Sequence, residues 1–142
     1  MHFNRSGATI IDLVVAVTLA SGMMAVVFPR AGGFIDRIEV RGAVAEIEAL
    51  FSLARHAAIS RGAQAVLEID PGSGVISIRA GAEQIRRREV GEAHGVRLST
   101  NRTSMTYSPI GVGYGAANFS LVVSRNSVAD TVIISRLGRV RH

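Results

Sequence analysis

Apolar residues dominate the first part of the chain almost without interruption. Between Ala8 and Phe28 the only charged residue is Asp12, and Pro29 follows directly. As a helix this stretch would be about 31 Å long, close to the ~30 Å hydrocarbon core of a bilayer. The pattern therefore predicts a helix that spans a membrane.

A second helical pattern begins after Pro29 and the glycine pair at 32 and 33. Gly62 follows Arg61, which is typical of a helix end. We predict one long helix from about Ala8 to Arg61, bent or locally loosened around Pro29–Gly33. Its second half is predicted to be amphipathic, because apolar residues recur mostly at spacings of three or four: Phe34, Ile38, Val44, Ile47, Leu50, Phe51, Ala54 and Ala58.

From Gln64 onward the apolar period changes to two, which indicates strands. Residues 65–69 and 75–79 predict a hairpin, with a glycine-containing turn between them. A single long helix followed by many short strands favours an α+β protein, with an antiparallel sheet or sandwich packed on the helix's second half. The further predicted strands are Gln84–Val90, Val96–Thr100, Ser104–Tyr107, Phe119–Ser124 and Thr131–Arg136.

The composition excludes several kinds of site without identifying a function. The chain has no cysteine, which excludes disulfides and thiolate metal sites, and its four histidines lack a paired metal-ligand spacing. No nucleophile elbow or phosphate-binding loop is present, so neither catalysis nor a cofactor is expected. All 16 basic residues are arginine, and a formal charge of +5 is too moderate to establish a nucleic-acid partner.

Asp12 is the most informative residue of the apolar stretch. An ionised carboxylate there costs about 2.5–3.5 kcal/mol by insertion scales, so a partner is expected. Together with the short basic leader that ends at Gly7, this segment resembles the N-terminus of type IV pilins and type II secretion pseudopilins. Gly7 matches their cleavage glycine, Ala8 the first mature residue, Asp12 the fifth, and Pro29 a frequent proline further along.

This resemblance implies a set of processing and assembly steps. A prepilin peptidase would remove residues 1–7 and methylate the new amine of Ala8. Asp12 would then pair with the N-terminal amine of a neighbouring subunit, with Pro29 in the assembly helix. The implied domains are a leader (1–7), a transmembrane and assembly helix (8–29), its amphipathic continuation (30–62) and a periplasmic antiparallel β domain (63–142). An ordinary signal peptide or plain membrane anchor is the alternative, but neither explains the spacing of Gly7, Asp12 and Pro29.

Three later segments, residues 53–62, 107–111 and 133–141, resemble the GspH/FimT group. The resemblance implies a minor pseudopilin, a non-enzymatic subunit of the pseudopilus of a type II secretion system. The protein would cross the bacterial inner membrane once, with its C-terminal domain in the periplasm. Its partners would be other minor and major pilins or pseudopilins.

Two alternative functions remain open at this stage. A FimT-like minor type IV pilin would bind DNA weakly and without sequence preference through Arg139 and Arg141, which would share one face of a continuing strand about 7 Å apart. A single-pass membrane protein with an uncleaved N-terminus, a periplasmic ligand-binding β domain and no filament role is the other. Arg86–Arg88 lies between Glu83 and Glu89, and we interpret it as a solvated strand edge.

Overall fold

In the computed structural model we describe residues 9–114, 118–135, 137, 140 and 141, with the backbone alone for residues 25–31 and 140. The chain divides into two compact units, Met1–Ile35 and Asp36–His142. The first unit contains the first half of a long helix. The second contains the rest of that helix and all the strands.

Helix α1 runs from Ile10 to Arg61, a length of 52 residues, so the predicted long helix is confirmed. It ends at Gly62, whose φ of +59° is the left-handed conformation that favours glycine. Gly62 N donates to Ile59 O, and Ala63 N donates to Ala58 O. This pair of bonds is the Schellman arrangement, which satisfies the last helical carbonyls.

Two four-stranded antiparallel sheets follow the helix. The first sheet has the strand order β3-β2-β1-β5, and the second has the order β4-β6-β7-β8. A five-residue helix, α2, separates β3 from β4. The elements are β1 Ala65–Asp70, β2 Val75–Ala80, β3 Glu83–Glu89, α2 Val90–His94, β4 Arg97–Thr100, β5 Ser104–Tyr107, β6 Phe119–Arg125, β7 Val128–Ile134 and β8 Val140–Arg141.

The predicted strands are found, with three differences. Strand β7 ends at Ile134 and does not continue to Arg141, because Val140–Arg141 pair back with it as the antiparallel strand β8. Val90 begins α2 instead of ending a strand, and α2 itself was not predicted. Strand β7 begins at Val128, three residues before the predicted Thr131, because Arg125 and Val128 already pair across a two-residue turn. Asn126 supplies the positive φ of 51° in that turn.

One continuous core joins α1 to both sheets. The buried side chains of α1 lie on one stripe from Val40 to Ala58, and Phe51 meets Phe119 of β6 edge to face at 5.2 Å. Alternate residues of the strands complete the core, as the period of two predicted. The α+β fold with the helix's second half packed on antiparallel sheets is therefore confirmed.

A close backbone contact between two glycines positions helix α2. Gly91 N donates to Gly74 O at 3.0 Å, and a Cβ added at Gly91 would lie 2.8 Å from Gly74 Cα. Gly74 itself has a φ of +68°. The close backbone approach places His94, the last residue of α2, against α1.

His94 lies between two carboxylates of α1. Its Nδ1 is 3.0 Å from Glu39 Oε2, and its Nε2 is 3.1 Å from Glu46 Oε2. Arg88 of β3 donates to the other oxygen of Glu46 at 2.6 Å. Burial alone would raise the pKa of Glu46, but the bonds from Arg88 and His94 outweigh it and lower that pKa. His94 thus connects α2 to α1.

Asp36 anchors the turn between β6 and β7 to the same helix. Only 8% of Asp36 is exposed. Arg125 Nε and Asn126 Nδ2 each donate to its carboxylate at 2.9 Å. The hydrogen bond from Asn126 lowers the pKa of Asp36, and Arg125 adds to that effect against the opposing influence of burial. Arg125 also donates to the carbonyl oxygen of His94, so both anchors are connected.

These lowered pKa values predict sensitivity to acid. The stability that Asp36 contributes is present above the carboxyl's ordinary pKa of 3.8 and is lost as pH falls through its lower folded-state value. We expect Asp36→Asn to reduce stability at pH 7 and to flatten the loss of stability between about pH 5 and pH 3.

Urea unfolding of the full chain in detergent micelles across this pH range measures both effects. Glu68→Gln, at an exposed strand position, controls for the loss of one negative charge. Equal flattening in both variants would contradict the assignment of the acid sensitivity to Asp36.

Candidate assembly site

The first turn of α1 contains a reciprocal side-chain cap. Asp12 Oδ2 accepts hydrogen bonds from Thr9 N at 2.9 Å and from Thr9 Oγ1 at 2.8 Å. In return, Asp12 N donates to Thr9 Oγ1 at 3.3 Å. This is a capping box in which aspartate takes the place of the usual glutamate. The Thr-x-x-Asp spacing could have revealed it, but the sequence interpretation considered only a partner in another subunit.

The cap gives Asp12 a partner within its own chain. Its negative charge lies at the helix N-terminus, where unpaired backbone N–H groups favour anions. Both hydrogen bonds to the carboxylate use Oδ2. A carboxylate has about four acceptor positions, so Oδ1 retains the capacity to accept a bond from a second molecule.

Every side chain from Ile10 to Met24 is exposed, around the whole circumference of α1. Most of these side chains are large and apolar. The two hydroxyls bond within the helix, because Thr18 Oγ1 donates to Val14 O at 2.7 Å and Ser21 Oγ to Val17 O at 2.8 Å. The helix therefore satisfies its own polar side chains and presents an apolar surface on all sides.

Within the described residues, no helix carries an apolar stretch long enough to cross a membrane. Pro29 lies inside α1, where the structure gives its backbone only. Gly7 and Ala8, the predicted cleavage and methylation positions, lie outside the described residues.

Of the two C-terminal arginines, the structure describes Arg141 and not Arg139. Arg141 is exposed on β8 and pairs in register with Ile133 of β7. We define the outer face of the second sheet by the side chains that alternate with its core residues. Among the described residues this face carries no carboxylate: Arg97, Ser99, Ser120, Val122, Ser124, Ala129, Thr131, Ile133 and Arg141.

The three successive arginines lie on edge strand β3, as predicted. Arg87 pairs with Glu89 at 3.5 Å, while Arg88 is directed to Glu46 of α1. Neighbouring side chains of a strand point to opposite faces, so the run does not form one cationic cluster. In the part of the chain that the structure describes, no group of three or more potential ligands could hold a metal ion.

Solved structures show where this fold recurs. The chain resembles the type IV minor pilin FimU of Pseudomonas aeruginosa with a TM-score of 0.64 and 19% identity, over 76% of this chain and 90% of that one. It also resembles the minor pseudopilin EpsH of the type 2 secretion system of Vibrio cholerae, with a TM-score of 0.55 and 13% identity, over 72% and 94% of the two chains. At these identities the likeness shows a shared fold. No curated protein matches the sequence.

The family profile for Type II transport protein GspH matches residues 43–138, which cover more than half of the chain. The match includes all of α1's buried stripe except Val40, and every strand from β1 to β7. Pilin and pseudopilin families consist of structural, non-enzymatic subunits. The chain belongs to the GspH family of type II transport proteins, and its GspH/FimT-like character, seen first in the sequence, is confirmed.

Proposed function

We propose that this protein is a minor pseudopilin, a structural subunit of the periplasmic pseudopilus of a type II secretion system. The observation that carries the proposal is the fully exposed apolar surface of α1 from Ile10 to Met24, in a chain with a GspH β domain. Exposed apolar area costs about 25 cal/mol per Å², so a helix that is apolar on all sides needs a cover. Lipid would provide it before assembly, and the helices of other subunits afterwards.

The proposal assigns a role to each part of the chain. Residues 1–7 are the leader that a prepilin peptidase removes, and Ala8 becomes the methylated N-terminus. Residues 8–29 cross the inner membrane and then enter the filament, and residues 30–62 continue the helix. Residues 63–142 form the periplasmic domain, and the partners are other minor and major pseudopilins.

Asp12 has two roles in this proposal. Before assembly, the bonds from Thr9 stabilise its carboxylate in apolar surroundings. During assembly, Oδ1 accepts a hydrogen bond from the N-terminal amine of a neighbouring subunit. Pro29 lies inside the same helix and contributes to the assembly segment.

Processing is tested at Gly7. We expect Gly7→Val to block removal of residues 1–7, because the peptidase must approach the backbone closely at this position, and Gly7→Ala to be processed poorly. The mass of the protein purified from membranes measures cleavage and methylation together. A fully matured Gly7→Val variant would contradict the proposal, and an intact leader in the native protein would favour an uncleaved membrane protein.

Assembly is tested at Asp12 with a control at Thr9. We expect Asp12→Ala to insert into the membrane at least as well as the native chain and to lose co-assembly with other subunits. Thr9→Val removes the hydroxyl of the cap and keeps the carboxylate, so it should assemble far better than Asp12→Ala. Asp12→Glu should assemble at least as well as the native chain.

Cross-linking of subunits in sheared filament fractions measures co-assembly. If Thr9→Val and Asp12→Ala fail equally, the carboxylate acts only as a helix cap. If Asp12→Ala assembles normally, Asp12 is not an assembly contact.

A second candidate function is DNA binding by a FimT-like minor type IV pilin. The observation in its favour is the outer face of the second sheet, where Arg97 and Arg141 occur with hydroxyl side chains and, among the described residues, without a carboxylate. Arginine and hydroxyl groups bind phosphate oxygens without reading sequence. Arg139, two residues before Arg141 in the sequence, would add a second cation.

The DNA proposal predicts a specific salt dependence. Removing both C-terminal arginines (Arg139→Ala with Arg141→Ala) should abolish most binding by the full chain in detergent and make the slope of log affinity against log salt shallower by about 1.8. Arg86→Ala with Arg87→Ala removes the same charge at β3 and should have a smaller effect. No mobility shift of DNA at low salt, even at high micromolar protein, would exclude this function and leave the secretion pseudopilin.

A further inference from the structure

The loop that follows β5 is held by hydrogen bonds, although its large apolar side chains are exposed. Within it, Ser108 N donates to Val112 O and Gly111 N to Ser108 O, both at 2.8 Å. Ser108 Oγ accepts a third bond, from Val112 N at 3.1 Å. Tyr114 N donates back to Thr106 O of β5 at 2.8 Å. These bonds fix the backbone of residues 108–114 in one conformation.

The same loop is attached to the C-terminal part of α1. Arg55 Nε donates to Gly111 O at 3.1 Å. Gly111 has a φ of +78°, and a Cβ added there would lie 2.7 Å from Ile59 Cδ1. The position accepts only glycine without rearrangement, and the loop therefore lies directly on the helix.

This rigid loop presents large apolar side chains to solvent. Ile110 is 79% exposed and Tyr114 is 54% exposed, and Ile59 beneath them is 46% exposed. Single exposed apolar side chains are common, but several large ones grouped on one ordered loop are typical of an interaction site. An ordered backbone also loses little conformational entropy when it binds, which favours affinity.

An apolar hollow continues from Ile59 along α1 to edge strand β3. Its lining includes Leu53, Ala57, Ile59 and Ile85. Because Ile59 lies against Gly111 of the loop and also lines the hollow, the loop and the hollow meet at Ile59, and we call the two together the helix-end patch. The helix-end patch consists of Leu53, Ala57, Ile59, Ile85, Ile110, Val112 and Tyr114.

The surroundings of the helix-end patch are basic. His56 and Arg61 line the hollow, and its described lining residues include no carboxylate. Arg86 follows Ile85 on β3 and is exposed, and Arg55 lies below the loop. Arg61 Nη2 donates to Glu83 Oε1 at 3.2 Å, so these two charges offset each other, and the basic character of the surroundings comes from Arg55 and Arg86.

We propose that the helix-end patch binds a different protein chain, one that offers an apolar ridge flanked by carboxylates. The hollow between α1 and β3 fits side chains of a protein, and the basic rim selects acidic neighbours by charge complementarity. A second copy of this chain is disfavoured, because pairing two identical patches brings arginine against arginine in a protein of formal charge +5. The inference deepens the proposed function and rests on it, since a subunit of a mixed filament needs a face for a different chain.

Site-specific photocross-linking in the native cell tests the proposal with the full chain. A benzophenone amino acid replaces Ile110 in the patch, Thr131 on the exposed second sheet as a control, or Val14 in the apolar helix as a reference for assembly. We expect Ile110 to cross-link to another subunit, at a peptide with apolar residues beside Asp or Glu, at least about fivefold more than Thr131. Cross-links only to copies of this chain or to lipid, or a yield no greater than at Thr131, would overturn the inference.

The reference position separates this inference from the proposed function. If Val14 cross-links to other subunits and Ile110 does not, the filament role holds and the patch has another explanation. If neither position cross-links to another subunit, both proposals fail.

Charge complementarity is tested at Ser60, which lines the hollow and is exposed. Ser60→Glu should lower the cross-linking yield at Ile110 roughly fivefold, because it places a carboxylate opposite the acidic partner. Ser60→Arg, similar in size and opposite in charge, should maintain or raise the yield. The reverse order of the two variants would show that the partner is basic and would overturn the proposal.

Discussion

Burial of one stripe of α1 against the two sheets is the contact on which the rest of the structure depends. From Val40 to Ala58 the helix contributes side chains to the same core as the alternating residues of the strands. Phe51 against Phe119 lies within that core. This stripe fixes the orientation of α1 on the sheets. It therefore determines which helix residues face the loop at Gly111 and which line the hollow beside Ile85.

Polar contacts position the rest of the second unit around that apolar stripe. Asp36, Glu39 and Glu46 lie on α1 ahead of or beside the buried residues. Glu39 and Glu46 both contact His94 of α2, and Asp36 accepts a hydrogen bond from Arg125 of β6. Such pairs stabilise the fold only modestly where they are exposed, but losing one partner of a buried pair is costly. Their main effect is to fix how the α2 segment and the turn between β6 and β7 lie on the helix.

The sequence predicted what depends on local periodicity. Helix α1, its end at Gly62, and most strands follow from spacings of three to four or of two residues. Helix α2 was missed because five residues show no period, and its position depends on the contact between Gly74 and Gly91. The pairing of Asp36 with Arg125 joins residues 89 apart, so no local pattern reveals it. The Thr9–Asp12 cap is the exception, because its Thr-x-x-Asp spacing is a local signal that the predicted partner in another subunit did not take into account.

The cap explains how an acidic residue can be kept in an apolar helix. An unpaired carboxylate in lipid has a large free-energy cost. A partner in another subunit lowers that cost only once it has bound. Two hydrogen bonds from Thr9, together with the helix N-terminus, stabilise the charge within a single subunit. Because both bonds go to Oδ2, an incoming amine can bind Oδ1 without breaking the cap. Under the proposed function, the helix would therefore stabilise its charge before assembly and use the same charge during it.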